Sequence, residues 1–321
     1  MDRGGARVLH IDPNPDAHRT VITLAGEHEA VCEALFWGVA AAQELIDMRE
    51  HQGEHIRIGA TDVVPMIALG PGDPRPALDS LAARIADQLK IPLFLYEDSA
   101  RRPAFSSLPR CRRGGYEALA RRFALPNDGP DLGPTLWGPQ VARSGVTAIG
   151  VRGVLVAMNF TLDSADRALA EQIASAIRTN GPEGRPDRFK RLRAVGWVMA
   201  GYGGRAQVSV NLLDPRISRA HDVLATVRRL AGSVEVLGAE LIGLTPARVL
   251  TDAGREARGL PKKSWPVEQV LDGPASSQED LLLLGCQALG LDHLNREQGI
   301  GGSSLARVLE RQLMEAGLPL G

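Results

Sequence analysis

Cysteine is scarce in this chain, and the three present, Cys32, Cys111 and Cys286, are odd in number, widely scattered and free of CxxC spacing. That pattern argues against a disulfide framework and against a structural zinc, and it points to a reducing compartment such as the cytoplasm. Charge of one sign is also missing: 37 basic against 38 acidic residues leave a formal net charge of −1. No global field then favours nucleic acid or an anionic membrane, so neither is expected as a partner. Long hydrophobic runs are absent as well. No window approaches the roughly 18 apolar residues that a membrane helix needs, and the opening MDRGGARVLHIDPNPDAHRT lacks the apolar segment of a signal peptide. The expectation is a soluble, unprocessed protein. Lysine is confined to Lys90, Lys190, Lys262 and Lys263, a bias from which no function is drawn. Aromatic residues make up only 4% of the chain, so Trp137 stands out in its loop.

What is present is enough chain for two ordinary cores, at 321 residues. From 151 to 162 the apolar run VRGVLVAMNFTL reads as a strand, and SADRALAEQIASAIRT at 164–179 reads as a helix behind an N-capping Ser or Asp. Residues 194–200 and, after the turn GYGG, 206–214, whose Val208, Val210 and Leu212 share one face in period two, read as a hairpin. A helix at 217–231 and a strand at 234–243 complete a βαββαβ order, the ferredoxin-like split unit. In the first half, strands at 7–12 and 19–25, a helix from 27 to 48 and an edge strand at 63–69 holding Pro65 give ββαβ. A helix at 75–90, a strand at 92–97 and a helix near 115–124 follow.

The fold class expected is therefore α+β: two ferredoxin-like subdomains, 1–150 and 151–250, the first lacking its opening strand and helix, and a helical tail over 251–321. The absent strand would be central, so its loss would leave two unpaired ladders. An upstream start of the true chain, the strand at 92–97 or a second subunit would have to cover them. A well-paired strand from residues 1–6 in that slot would refute the idea. The Pro- and Gly-rich segment 125–145 reads as a linker, with Trp137 placed to grip a flat heterocycle if it does more. The tail patterns at 277–290 and 303–317 read as packing or dimerisation surface.

The stretch EHQGEHIRIGATD at 50–62 sets His51 and His55 four residues apart among acids and beside Arg57. A metal pair on a helix is one reading, weakened by Gln52 where a general-base glutamate would stand and by Gly53, which breaks the helix. Acid–base chemistry is a second: an imidazole near neutrality serves reactions in which one amine attacks and another leaves, with Glu54, Asp62 or Asp12 orienting the ring. Arg57 would then offer a fork for a carboxylate. A solvated polar loop is the third, and spacing alone does not choose.

LIDMREHQGEHIRIGATDVVP at 45–65 resembles the hallmark of the formiminotransferase family, LID-x-x-x-H-x-G-x-HPR-x-GA-x-DV-x-P. Ordered matches continue in HIDPNPDAHRTVITLAG at 10–26, PLFLYEDSARR at 92–102, RRGGYEAL at 112–119, PDLGP at 130–134, RAQVSVNLLD at 205–214 and GAELIGLTP at 238–246, with a weaker one in LGLDHL at 289–294. The resemblance implies transfer of a formimino group from N-formimino-L-glutamate to N5 of tetrahydrofolate, in histidine degradation and one-carbon metabolism. It implies two ferredoxin-like subdomains with folate between them, a homodimer, tetrahydrofolate as co-substrate and no metal. The catalytic histidine falls on His55 and the nearby acids on Asp12 and Asp62. Substrate-binding arginines fall on Arg19 and Arg57. Folate contacts fall on Gly133, Pro134 and Trp137, and on the basic run Arg188, Lys190, Arg191 and Arg193.

Three departures qualify what the resemblance implies. The family's opening strand, ending in a VPNFSEG-like motif, has no counterpart; Ile56 replaces the proline after the histidine; and His18 stands where asparagine is usual. They keep a second reading in view, a catalytically weakened relative that binds folate or a partner. A formyl donor in place of the formimino donor is a third.

Overall fold

In the computed structural model, residues 5–15, 17–53, 55–199, 203–257, 259 and 278–291 are described. The helix expected at 303–317, the end of LGLDHL and Glu54 lie outside these residues. The chain divides into two units between Gly153 and Val154.

The first unit opens with a hairpin, β1 (Arg7–Asn14) and β2 (Arg19–Ala25), paired antiparallel with Asp12 opposite Val21 and Asn14 opposite Arg19. Its tight turn is closed by Asn14, whose side-chain oxygen accepts from the Ala17 backbone N–H at 2.9 Å. Partners that face each other share a face of the ribbon, so Asp12, Asn14, Arg19 and Val21 lie on one side and Ile11 and Ile22 on the other. Helix α1 (His28–Leu45) follows, its alanine run favouring helix and its buried Ala34, Phe36 and Val39 marking the inner face. Next come β3 (Val63–Met66), α2 (Arg75–Arg84) with a wider turn through Leu89, and β4 (Leu93–Leu95). Short helices α3 (Leu108–Cys111), α4 (Leu119–Phe123) and α5 (Pro139–Ser144) lead to β5 (Thr147–Val151).

Strands β3, β5 and β4 form a parallel sheet in that order, with β5 in the middle and buried along its whole length. A strand covered on both faces reads as an unbroken apolar run, and the two covers are distinct. One is α1 and α2 against Leu93, Leu95, Ile149 and Val151; the other is Phe94, Tyr96, Phe105, Leu119 and Ala148. Pro65 sits on the edge strand β3, where a missing donor breaks no second ladder. Among the described residues the hairpin is a sheet of its own and pairs with none of these three strands. The strand expected at 92–97 lies beyond β5, at the opposite edge from β3, so it does not fill the slot between β3 and the hairpin.

The expectation of one strand from 151 to 162 is corrected here. Val151 ends β5 in the first unit, and β6 (Val156–Leu162) begins the second. The apolar run continues through the break, so hydrophobicity does not mark it.

In the second unit α6 (Arg167–Ile177) follows β6, capped by Asp166, whose carboxylate accepts from the N–H groups of Ala168 and Leu169 at 2.8 and 3.1 Å. Then come β7 (Leu192–Met199), β8 (Arg205–Leu212), α7 (Ala220–Ala231) and β9 (Val236–Ile242). The four strands are antiparallel in the order β7, β8, β6, β9. Alternate residues Val156, Met158, Phe160, Val208 and Val210 face Ile173, Ile177, Val223 and Val227 of the two helices. Helices α8 (Ala247–Ala257) and α9 (Gln278–Leu289) add Leu250, Cys286 and Leu289 to the same core. No helix among the described residues is long and apolar enough to cross a membrane.

Candidate active site

The segment 51–62 between α1 and β3 has little regular structure, and backbone contacts hold its two ends. At its far end Gly59 bridges Gly145, with the Val146 N–H donating to Ile58 O at 2.8 Å and Ala60 N–H to Ser144 O at 2.9 Å. A Cβ on Gly59 would sit 2.3 Å from the Val146 carbonyl oxygen, so only glycine allows this approach. At its near end Gly53 lies against the hairpin turn, where a Cβ would come within 2.6 Å of Ala17 O. The segment is thus clamped between β5 and the hairpin, with His55 in between.

His18 and His51 make the hairpin clamp. Their rings stack in parallel with centroids 4.3 Å apart. The His18 Nδ1–H donates to Gln52 O, and the His51 Nε2–H donates to His18 O at 2.8 Å. His18 takes a left-handed backbone with φ of 48°, a conformation that histidine and asparagine tolerate better than most residues. That shared tolerance fits the asparagine that the family resemblance implies at this turn. Nδ1 of His51 accepts from Arg57 Nε at 3.3 Å, and His51 O from Arg57 Nη2 at 2.9 Å. Arg57 Nη1 pairs with Glu117 at 2.7 Å, and the guanidinium lies 5.8 Å from the centre of the Tyr116 ring. All three guanidinium nitrogens of Arg57 are therefore engaged in holding the loop, a different use from the substrate carboxylate expected of it.

The half-buried ring of His55 has other neighbours. Its Nδ1 lies 2.7 Å from Ile56 O and its Nε2 lies 3.0 Å from Arg19 Nη1. A carbonyl only accepts and a guanidinium only donates, so the tautomer follows: Nδ1 carries the proton and Nε2 presents its lone pair to Arg19. Burial, then the charges of Arg19 and Arg112, press the imidazole pKa down from 6.5 to about 3. The ring is neutral through the physiological range.

Asp62 acts through Arg112. Its carboxylate accepts from the Ile58 N–H at 3.0 Å and grips Arg112 through Nη2 and Nε, bringing that cation close enough to act on His55. Arg112, in RRGGYEAL, was not singled out in the sequence, where it is one arginine among many. Its only sequence signal was its place in a matching segment. Asp47 of LIDMR is similar: it binds Arg49 and Arg143 and so ties the end of α1 to α5. Asp12 is half-buried on the hairpin face that carries Arg19.

Of the residues expected at folate, Gly133 and Pro134 border an open pocket of about 470 Å³ with Ala86, Lys90 and Leu132. Trp137 packs between the rings of Tyr116 and Phe123, at centroid distances of 5.9 and 5.4 Å. In the second unit Arg188, Lys190 and Arg191 are exposed on the turn before β7, and Arg193 is half-buried within that strand.

Comparison with known proteins agrees with the motif. Residues 1–152 match the formiminotransferase domain, N-terminal subdomain, and residues 157–260 match the formiminotransferase domain. Formimidoyltransferase-cyclodeaminase of Rattus norvegicus is 37% identical over 255 residues, 78% of this chain but 46% of the rat protein. The chain thus spans about half the length of that relative. Glutamate formimidoyltransferase of Streptococcus pyogenes serotype M1 is 36% identical over 253 residues, 77% of this chain and 82% of the relative. The protein of the same name from Thermoplasma acidophilum is 30% identical over 256 residues, covering 78% and 81%. With both halves of the domain matched in order, the chain belongs to the formiminotransferase family.

Proposed function

We propose that this protein is a glutamate formimidoyltransferase, moving the formimino group of N-formimino-L-glutamate to N5 of tetrahydrofolate and releasing glutamate. The observation that carries the reading is the neutral His55 imidazole, with its Nε2 lone pair facing the Arg19 guanidinium, in a chain of this family. Tetrahydrofolate supplies the attacking nitrogen. His55 Nε2 takes the proton that this nitrogen sheds and returns it to the glutamate nitrogen as the C–N bond to the formimino carbon breaks. General acid–base help of this kind is worth about 10² to 10⁴ in rate. Holding both substrates together adds more.

Arg19 is the proposed partner of a glutamate carboxylate. Arg57, expected to share that task, is instead read as the brace of the His51 loop, because its nitrogens are taken. Asp62 is read as a positioning residue for Arg112, and Asp12 as a second acid on the Arg19 face. The exposed charges of Arg188, Lys190 and Arg191 fit the carboxylates of a pteroylglutamate, and Arg193 extends the same run. Gly133 and Pro134 fit a folate contact through their open pocket. Trp137 fits less well, since its ring already packs against Tyr116 and Phe123.

The same proposal includes the finer fold and setting. The strand order β7, β8, β6, β9 with two crossing helices supports a ferredoxin-like second subdomain. A homodimer in the cytoplasm is proposed with it. Incubating the purified chain with formiminoglutamate and tetrahydrofolate tests the reading by formation of 5-formiminotetrahydrofolate. Folate binding with no product would favour the weakened, folate-binding relative, and turnover of formylglutamate alone would move the donor to formyl.

A further inference from the structure

In this structure both nitrogens of the proposed base are engaged. Nδ1–H of His55 is spent on Ile56 O, and the Nε2 lone pair receives a guanidinium N–H from Arg19. A lone pair holding that hydrogen bond cannot also accept a proton from a substrate. Of the two contacts, the one to Ile56 is with the adjacent backbone carbonyl and stays with the loop. The one to Arg19 comes from another element and ends on a flexible side chain.

The hairpin does not need that contact to keep its place, because His18 and His51 tie its turn to the loop independently. A guanidinium offered a carboxylate exchanges a single neutral acceptor for a charged one that can take two parallel N–H bonds from its fork.

Resting on the transferase reading, we propose that Arg19 is a catch on His55. A substrate carboxylate draws the guanidinium off Nε2, leaving Nδ1–H anchored on Ile56 and Nε2 as the nitrogen that transfers the proton. Arg19 is thereby a positioning residue: it selects the tautomer before substrate arrives and uncovers the base when substrate does. Specificity follows from the same device. An amidine without a carboxylate would meet a base that is still covered. Release also makes the ring more basic, since Arg19 is the larger of the two charges that press its pKa down.

The test is histidine ring NMR on the full chain labelled with nitrogen-15, using glutarate, which carries two carboxylates and no transferable group. In the ligand-free protein at neutral pH the His55 signals should be those of a protonated Nδ1 and a hydrogen-bonded Nε2. Glutarate should shift the Nε2 signal and raise the pH at which His55 titrates by about one unit or more. In Arg19→Ala the ligand-free titration should already lie higher, and glutarate should add nothing. Arg19→Gln, closer in shape and able to donate through its amide, guards against a misfolded alanine variant: it should keep the tautomer, titrate higher and ignore glutarate. A wild-type ring that glutarate leaves unmoved, or a variant that titrates with the wild type, overturns the proposal. Because no turnover is read, a protein that passes this test yet makes no 5-formiminotetrahydrofolate would lose the transferase reading and keep the catch. A transferase indifferent to glutarate would do the reverse.

Discussion

Two histidines four residues apart carry different duties, and their contacts separate them. His51 is spent on the clamp: stacked on His18, bonded to its carbonyl and holding Arg57. His55→Gln should lower kcat by about 10² to 10⁴ while leaving the thermal midpoint close to that of the wild type. His51→Ala should act mainly through stability, with a reduced midpoint and a smaller loss of turnover, read by thermal denaturation beside initial rates. Equal kinetic losses would contradict the division.

The pH dependence follows from the depressed His55 pKa. The folded value of about 3 lies below the ordinary 6.5, so between them the unfolded chain binds the extra proton. The stability contribution is complete above pH 6.5 and is lost progressively as pH falls towards 3. Half-buried His221 on α7, also held below its ordinary pKa chiefly by desolvation, adds a loss of the same sign. Denaturant unfolding of wild type and His55→Gln across pH 4–8 isolates the first, because the difference between them should shrink to a constant above pH 6.5. None of this was legible from spacing, where both histidines look alike and Arg57 resembles any arginine near an acid. The family pattern separated His55 from His51, but side-chain partners decide what Arg57 and Arg112 do, and partners come from segments far along the chain.

Among the elements, the ones read well were those whose period shows on one face: α6 behind Asp166, the β7 and β8 hairpin, α7 and β9. The central strand β5 was missed, since burial on both faces erases alternation and its apolar residues merge with those of β6. Its junction with the site can be probed directly. Gly59→Ala forces a Cβ against Val146 O and should cost about 1–3 kcal/mol in denaturant unfolding, with activity falling as the loop shifts. Asp131 secures the neighbouring strand β4, accepting from the Leu95 N–H at 2.8 Å and from Arg102 Nε at 2.9 Å. Asp131→Ala should cost roughly 1–3 kcal/mol by stranding those donors, without the pH signature of His55.

For the molecule as a whole, composition and length suggest two cores with a helical tail beyond 250, and the chain divides into two units at Gly153. What they did not reveal is how the described helices after residue 246 are used. Gly254 of α8 and Gly285 of α9 let the two helices touch backbone to backbone: a Cβ on Gly285 would lie 1.9 Å from Leu250 O. Gly285→Val should pry α9 from the core of the second unit, seen as faster hydrogen exchange at its amides, while exchange in the first unit stays unchanged.

The parallel sheet of the first unit also sets a schedule for synthesis. Among the described strands β3 and β4 are joined through β5, and the loop bearing His55 is fastened to the residues just before it. A nascent chain that has produced the imidazole, the hairpin and both outer strands can tie the loop to the hairpin turn but still lacks the strand that joins β3 to β4. The far end of the His55 loop has no anchor on the ribosome until the residues through Val151 have cleared the exit tunnel, and until then the apolar edges wait open to chaperones.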